Sequence, residues 1–533
     1  MDSACSRDRG APSADLHEAK FLPHPKEKDK SVKVRLESML EQETMEEGDD
    51  DESARLTGSV FSDKPAEVQR SSVLADVRRV CILAAPIILS NITVPLTGAV
   101  DIAIVGRLGE AAYLGGVAIG SLLFNYVYWG LGFVKMGTTG LTANAYGACT
   151  AVGSDEAARQ RAREQLLIIL ARAVLMAVVF GTIVVLAAEA MLQLLFSLVT
   201  TTATVQQLGT EYFRARVLGA PAALSNLAVM GWLLGVQEPR SCLAINVVIN
   251  STNILLDWVL ALEWGWGIAG VGYATAIAQF TGLCVSALAV WRLLAQPRFT
   301  SGGVGGGGGR PWANVVADVF DWSAIRRTMA VNGDIFIRTV CLLTAFAYIT
   351  SESAKLGEVI LAANSVLDQF GMLAAFLLDG FANAAEALVG EAFGAKDAAG
   401  LRRHICATCG AAALVASLVS FTWSVGGYWL ISVLTTIPEV RTKAAEYLGF
   451  VAVAPLVSVW AFMLDGIFIG AVATAEMRNA MIMMLLLTVG VGEVLIHVLA
   501  LGNTGLWCTY MFLMGVRTLG LGCYLPRLVR RCS

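Results

Sequence analysis

The sequence predicts an all-α polytopic membrane protein of about 12 transmembrane helices, grouped as two six-helix lobes. Three observations predict it. Hydrophobic residues make up 56% of the chain and charged residues only 15%, whereas soluble proteins carry about 25% charge. Apolar runs near 20 residues recur along the chain, each long enough to cross roughly 30 Å of hydrocarbon as a helix. A glycine-rich stretch from Ser301 to Gly309 reads as a flexible linker and divides the runs six plus six.

Residues 1–75 come first and hold the acidic runs Glu46-Glu47 and Asp49-Asp50-Asp51-Glu52. A polar segment of that kind reads as a disordered tail. It is too acidic for a transit peptide and lacks the apolar region of a signal peptide. The spans are expected at 80–105, 112–136, 165–189, 208–235, 242–262 and 267–294, making an N-lobe over 76–295. After a linker over 296–322 come 326–349, 359–388, 405–431, 446–471, 477–500 and 504–526, a C-lobe over 323–527, with a short terminus at 528–533. The Cys406/Cys409 pair lies inside a span without further ligands and reads as small apolar filler.

Lys and Arg test this count. The links on the side of the N-terminus carry 18, from Arg70, Arg78 and Arg79 to Arg527, Arg530 and Arg531; the opposite links carry 4, Arg107, Lys355, Arg441 and Lys443. The positive-inside rule then places both termini in the cytoplasm, or in the stroma if the membrane is a chloroplast one. The halves also repeat each other. Glu211-Tyr212-Phe213 and Glu446-Tyr447-Leu448 each lead to an Ala-Pro pair, Ala220-Pro221 and Ala454-Pro455. Leu141 to Ala148 and Leu388 to Ala395 match at the expected exits of the second and eighth spans. Parallel repeats of this type place a substrate site between two lobes near the bilayer middle.

Ionisable residues inside spans cost about 2.5–3.5 kcal/mol each at a helix centre and call for a partner, a cavity or a role. In the first half these are Asp101, late in the first span, and Asp257, late in the fifth. Asn253 lies one turn deeper than Asp257 on the same face, and Thr275 and Asn226 complete a candidate polar lining. Two carboxylates close together in low dielectric repel each other, the property a proton-coupling site needs; the alternative is that both acids cap helix ends at the headgroups. Pro95, six residues before Asp101, permits a bend in the first span or only shapes its packing. In the second half, Asp368, Asp379 and Glu386 share one stripe of the eighth span, joined by Asp465, Glu493, Asp334 and Arg338. Arg338 cannot lose its proton and must be neutralised by one of these acids, so part of this set is a structural charge network. Lys135 can snorkel.

Other chemistries find no footing. The glycine-rich linker lacks the Lys-Ser/Thr ending of a phosphate loop. No zinc-ligand spacing, nucleophile elbow or triad is visible, and His497 is the sole histidine within the expected spans. No cofactor, nucleic acid or enzymatic activity is expected.

Several motifs resemble one family. Val100 to Gly109 (VDIAIVGRLG) resembles the first-span signature of multidrug and toxic compound extrusion (MATE) transporters. Met136 to Ala143 with Ala145-Tyr146-Gly147, Asp379 to Ala382 with Ala385 to Gly390, Leu464 to Gly470 and Ala475 to Ala480 are similar to its DinF-like branch. The resemblance runs over about residues 75–526. It implies a secondary antiporter, acting as a monomer among membrane lipids, that exports organic cations or xenobiotics by rocking two lobes against a proton, or less favourably a sodium, gradient. It assigns proton coupling or cation binding to Asp101 and Asp257, with Asn253 and Thr275 beside them. The sodium site of the NorM-like branch carries over poorly, since the seventh span offers Asp334 and Arg338. Efflux of an organic anion such as citrate, with Arg338 and Lys135 contacting it, and flipping of a lipid or lipid-linked precursor are the other readings.

Overall fold

A computed structural model describes residues 73–108, 111–151, 156–199, 201–296 and 312–532. The acidic tail and the glycine-rich segment expected to be flexible lie outside the described residues. Among those described, eleven helices are long and apolar enough to cross a membrane, and a bent pair makes a twelfth. The chain is an all-α, multi-pass integral membrane protein.

The first span is Val73–Val105, continuous through Pro86 and Pro95. The second is Ala111–Gly130 followed, after Leu131-Gly132, by Phe133–Thr150. The third is Glu156–Leu186, and a short helix, Ala188–Leu198, follows it. Ala203–Val217 and Ala220–Gly235 form the fourth, Pro239–Leu256 the fifth and Gly267–Leu294 the sixth. A short helix, Trp312–Val319, precedes the seventh span, Trp322–Lys355. The rest are Glu358–Gly394, Ala398–Leu434, Pro438–Gly470, Thr474–Glu493 and Gly502–Cys532.

The repeat is visible in backbone detail. The fifth span ends in a π-helical turn, Asp257–Glu263, and the eleventh in another, Val494–Val498. Gln237 and Val472, which enter the fifth and eleventh spans, both take positive φ (62° and 55°). The fourth and tenth spans differ. The fourth bends by 51° at its Ala-Pro pair, while the tenth runs unbroken through Pro455. Gly219 stands before Ala220-Pro221 where the tenth span has Val453. A glycine followed by a helix-breaking proline loosens the backbone there. Gly219 also abuts Ala276 of the sixth span so closely that a Cβ would come within 2.8 Å of its Cα, so a larger residue would push the two helices apart.

Hydropathy places the spans but shortens several. The second and eighth were expected to end at 136 and 388, yet their helices continue to Thr150 and Gly394. These extensions are rich in Gly, Ala and Thr. Their low hydropathy conceals them, and their small size lets the halves touch. A side chain at Gly147 would collide with the Glu391 backbone, and one at Gly394 with that of Asn144. Asn144 Nδ2 donates to Gly470 O at 2.6 Å across the same crossing.

Candidate functional site

The polar residues of the first half converge near the end of the first span away from its N-terminus. Asp257 opens the π turn of the fifth span and is fully buried, at 0% exposure, so it does not face headgroups. Asp101 is in the last turns of the first span, and its carboxyl lies within hydrogen-bonding reach of that of Asp257. One oxygen of each, Asp101 Oδ1 and Asp257 Oδ1, is buried and takes no hydrogen bond from a protein donor. Two carboxyls meet in this way when they hold a proton between them or when a cation bridges them. Asn253 Nδ2 donates to Asp257 Oδ2 at 3.0 Å and to Thr275 Oγ1 at 3.4 Å.

Asn226 is held elsewhere. Its Nδ2 donates to the Gln279 carbonyl at 2.9 Å, and its Oδ1 accepts from Ser286 Oγ at 2.9 Å. That amide fastens the fourth span to the sixth. Pro95 sits in unbroken helix on an exposed face.

Arg216, on the fourth span just before its bend, is a member of this site that the sequence reading passed over. It lies within electrostatic reach of both acids. Its Nη1 donates to Tyr212 OH at 2.5 Å and Ser121 Oγ at 3.2 Å, and the guanidinium stacks 4.1 Å from the Phe124 ring centroid. The cation is therefore tethered beside the acids by other partners. An arginine inside an expected span was the available signal.

The second-half set resolves into separate pairings. Asp465 Oδ2 binds Arg338 and also Arg517 of the twelfth span, all three almost wholly buried. Arg338 is thus neutralised by a tenth-span acid, in company with a second arginine that the sequence reading missed. Glu386 is buried, with Oε2 unpartnered, and Asp379 and Glu386 lie within electrostatic reach of Lys135 and Arg338. Lys135 belongs to the second span, so this reach crosses between the halves. Asp334 is apart from that group and binds Arg478 Nη1 at 2.5 Å and Thr474 Oγ1 at 3.0 Å. Asp368 lies nearer the start of the eighth span and is exposed. Glu493 meets Tyr348 and His497 instead of the central acids.

At the end bearing the start of the first span, an ionic contact joins the halves. Arg79 Nη2 donates to Glu391 Oε2 at 2.7 Å and to Gln237 Oε1 at 2.9 Å, and Gln237 Nε2 donates to the same Glu391 oxygen at 2.7 Å. The halves are pinned together there.

The MatE family model matches residues 86–259 and 335–492. The chain belongs to the MatE family. It is 36% identical over 439 residues to DNA damage-inducible protein F of Escherichia coli (strain K12), covering 82% of this chain and 90% of that one. It is 26% identical over 269 residues to Protein DETOXIFICATION 42 of Arabidopsis thaliana, 49% of this chain and 47% of that one. Among solved structures, a MOP superfamily transporter from Pyrococcus furiosus superposes with a TM-score of 0.73 at 17% identity, over 89% of this chain and all of that one. An outward-facing multidrug resistance MATE transporter gives 0.72 at 17% identity, over 88% and 99%. As a MatE protein the chain is a membrane transporter and not an enzyme.

Proposed function

We propose that this MatE transporter is a proton-coupled antiporter exporting organic cations or amphiphilic xenobiotics, with lobes over 76–295 and 323–527 rocking about the membrane centre. The observation that supports it is the facing pair Asp101 and Asp257, buried from protein donors on one oxygen each and linked to Asn253 and Thr275. With both termini cytoplasmic, as the Lys/Arg distribution favours, the pair lies toward the outside. A proton arriving from there neutralises it and removes its attraction for a cationic substrate, which is then released outward. The names of relatives such as the probable multidrug resistance protein NorM of Bradyrhizobium diazoefficiens point to the same substrate class.

The test is reconstitution into liposomes with an imposed pH gradient or, separately, a sodium gradient. Asp101→Asn and Asp257→Asn are each expected to abolish pH-driven export while the protein remains folded. Undiminished export in both variants overturns the assignment.

An organic-anion reading draws on a different observation. Arg338 and Arg517 share one carboxylate, and Lys135 faces the same region. Export of a carboxylate substrate that fails with Arg517→Gln and persists with Asp101→Asn would favour it.

A further inference from the structure

The repeat gives the acid pair a counterpart. The first and fifth spans, which carry Asp101 and Asp257, correspond to the seventh and eleventh. At the matching end of those two spans, three ligand-type side chains meet: Glu352, Glu493 and His497. Glu352 is in the last turn of the seventh span and nonetheless buried, at 4% exposure. His497 lies within the π turn that repeats the one bearing Asp257. Single π turns inside α-helices concentrate at functional positions.

The distances are those of a ligand set. His497 Nε2 is 3.1 Å from Glu352 Oε2 and 3.7 Å from Glu493 Oε2. One donor atom from each of the three residues lies within 4.8 Å of the others. Tetrahedral ligands at zinc bond lengths of about 2.0–2.1 Å stand roughly 3.3 Å apart, which the two measured spacings bracket. The remaining oxygens are held from outside: Lys355 Nζ donates to Glu352 Oε1 at 2.5 Å, and Tyr348 OH to Glu493 Oε1 at 3.1 Å. Each carboxylate therefore turns one oxygen inward while a neighbour fixes the other, as outer partners do around metal ligands. The side chains of His497 and Glu493 are about half exposed, at 49% and 52%, so the cluster is open on that side. Glu352 and His497 are 145 residues apart in sequence, so no local spacing could reveal the set.

We propose that Glu352, Glu493 and His497 form a binding site for a divalent transition metal ion, with Zn2+ the reference ligand. An imidazole replaces one oxygen donor of the first-half site, and a mixed N/O set suits Zn2+, Ni2+ or Cu2+ better than Mg2+ or Ca2+. The site bridges the seventh and eleventh spans within one half, so the ion staples that half together.

The experiment is calorimetric titration of the full chain in lipid nanodiscs with Zn2+ at pH 7.5, repeated on His497→Ala and on Glu493→Gln. Thermal melting with and without the ion runs alongside. A wild-type site of micromolar affinity is expected, weakened roughly 100-fold or more in His497→Ala, with a zinc-dependent rise in Tm of a few degrees that Mg2+ does not reproduce. Both variants should melt as the wild type does in chelator, since their side chains are half exposed. Should His497→Ala fail to fold, Glu493→Gln alone carries the comparison. Zinc binding absent from the wild type, or equal in wild type and folded variants, overturns the proposal, the trio then being a hydrogen-bonded cluster that holds no ion.

Discussion

The two halves are built on one repeat yet place two buried acids, Asp257 and Asp465, in different company. In the first, Asp101 and Asp257 lie beside each other, and Arg216, within electrostatic reach of both, is tied to Tyr212 and Ser121. In the second, Asp465 is gripped by Arg338 and Arg517 together. A carboxylate held by two guanidinium groups is fixed in charge and place. A carboxyl whose neighbour is another carboxyl can exchange its proton. On the proposed function, the difference separates an exchangeable site from a strut, although both appear in sequence as acids in a membrane span.

The largest expected effect tests the exchangeable side. Asp257→Asn should reduce pH-gradient-driven export by about 100-fold or more, with little change in melting temperature, because the amide retains volume and one acceptor while removing the titrating group. Export assayed in proteoliposomes together with thermal melting separates the two quantities. A large drop in Tm with residual coupling would make the first half a strut as well.

Next comes the strut itself. Asp465→Asn leaves two buried guanidinium groups without their shared carboxylate. Breaking a buried pair in this way costs on the order of 3–5 kcal/mol, so the variant should express poorly and melt well below the wild type. Replacing all three residues, Arg338→Met, Asp465→Leu and Arg517→Met, should recover most of the lost Tm. Recovery of stability without recovery of export would show that the network also serves transport.

How much of this was legible in the sequence follows from the same contrast. Hydropathy locates twelve spans because each must match the bilayer, and Lys/Arg bias and repeats order them. The acid pair was legible since Asp257 and Asn253 share a helix face and Asp101 sits at similar depth. The partners were not. Asp334 shares the seventh span with Arg338, yet it binds Arg478 of the eleventh span. Arg517 and Asn226 acquire their roles from helices 52 and 60 residues away, and no periodicity encodes which face meets which. The helix ends at 137–150 and 389–394 were concealed because close packing there uses Gly and Thr, which are near neutral on hydropathy scales and mark no apolar run.

A smaller effect concerns the contact joining the halves. Glu391→Gln removes the carboxylate that Arg79 and Gln237 share. Hydrogen bonds to charged groups contribute about 1.5–3 kcal/mol when intact, less where half-exposed, and a loss of 1–2 kcal/mol shifts a two-state population roughly 5- to 30-fold. Thiol labelling of the half-buried Cys149, at the same end of the second span, should accelerate within that range when followed by mass spectrometry. An unchanged rate would mean that the small-residue crossing, not the ion pair, holds the halves closed.

The smallest effect is the most discriminating. Thr275 is joined to the acid site through one long hydrogen bond, 3.4 Å from Asn253 Nδ2, and its own hydroxyl donates to Val271 O at 3.1 Å. Thr275→Ala therefore deletes a single neutral acceptor, about 0.5–1.5 kcal/mol at most, and leaves Asn253 its 3.0 Å bond to Asp257. If the first-half site is exchangeable, export should fall less than about 3-fold, with its pH dependence moved only slightly. A loss as deep as that of Asp257→Asn would mean that the carboxyl pair depends on every neighbour for its position. That outcome would make the first-half site as rigid as the arginine-held Asp465.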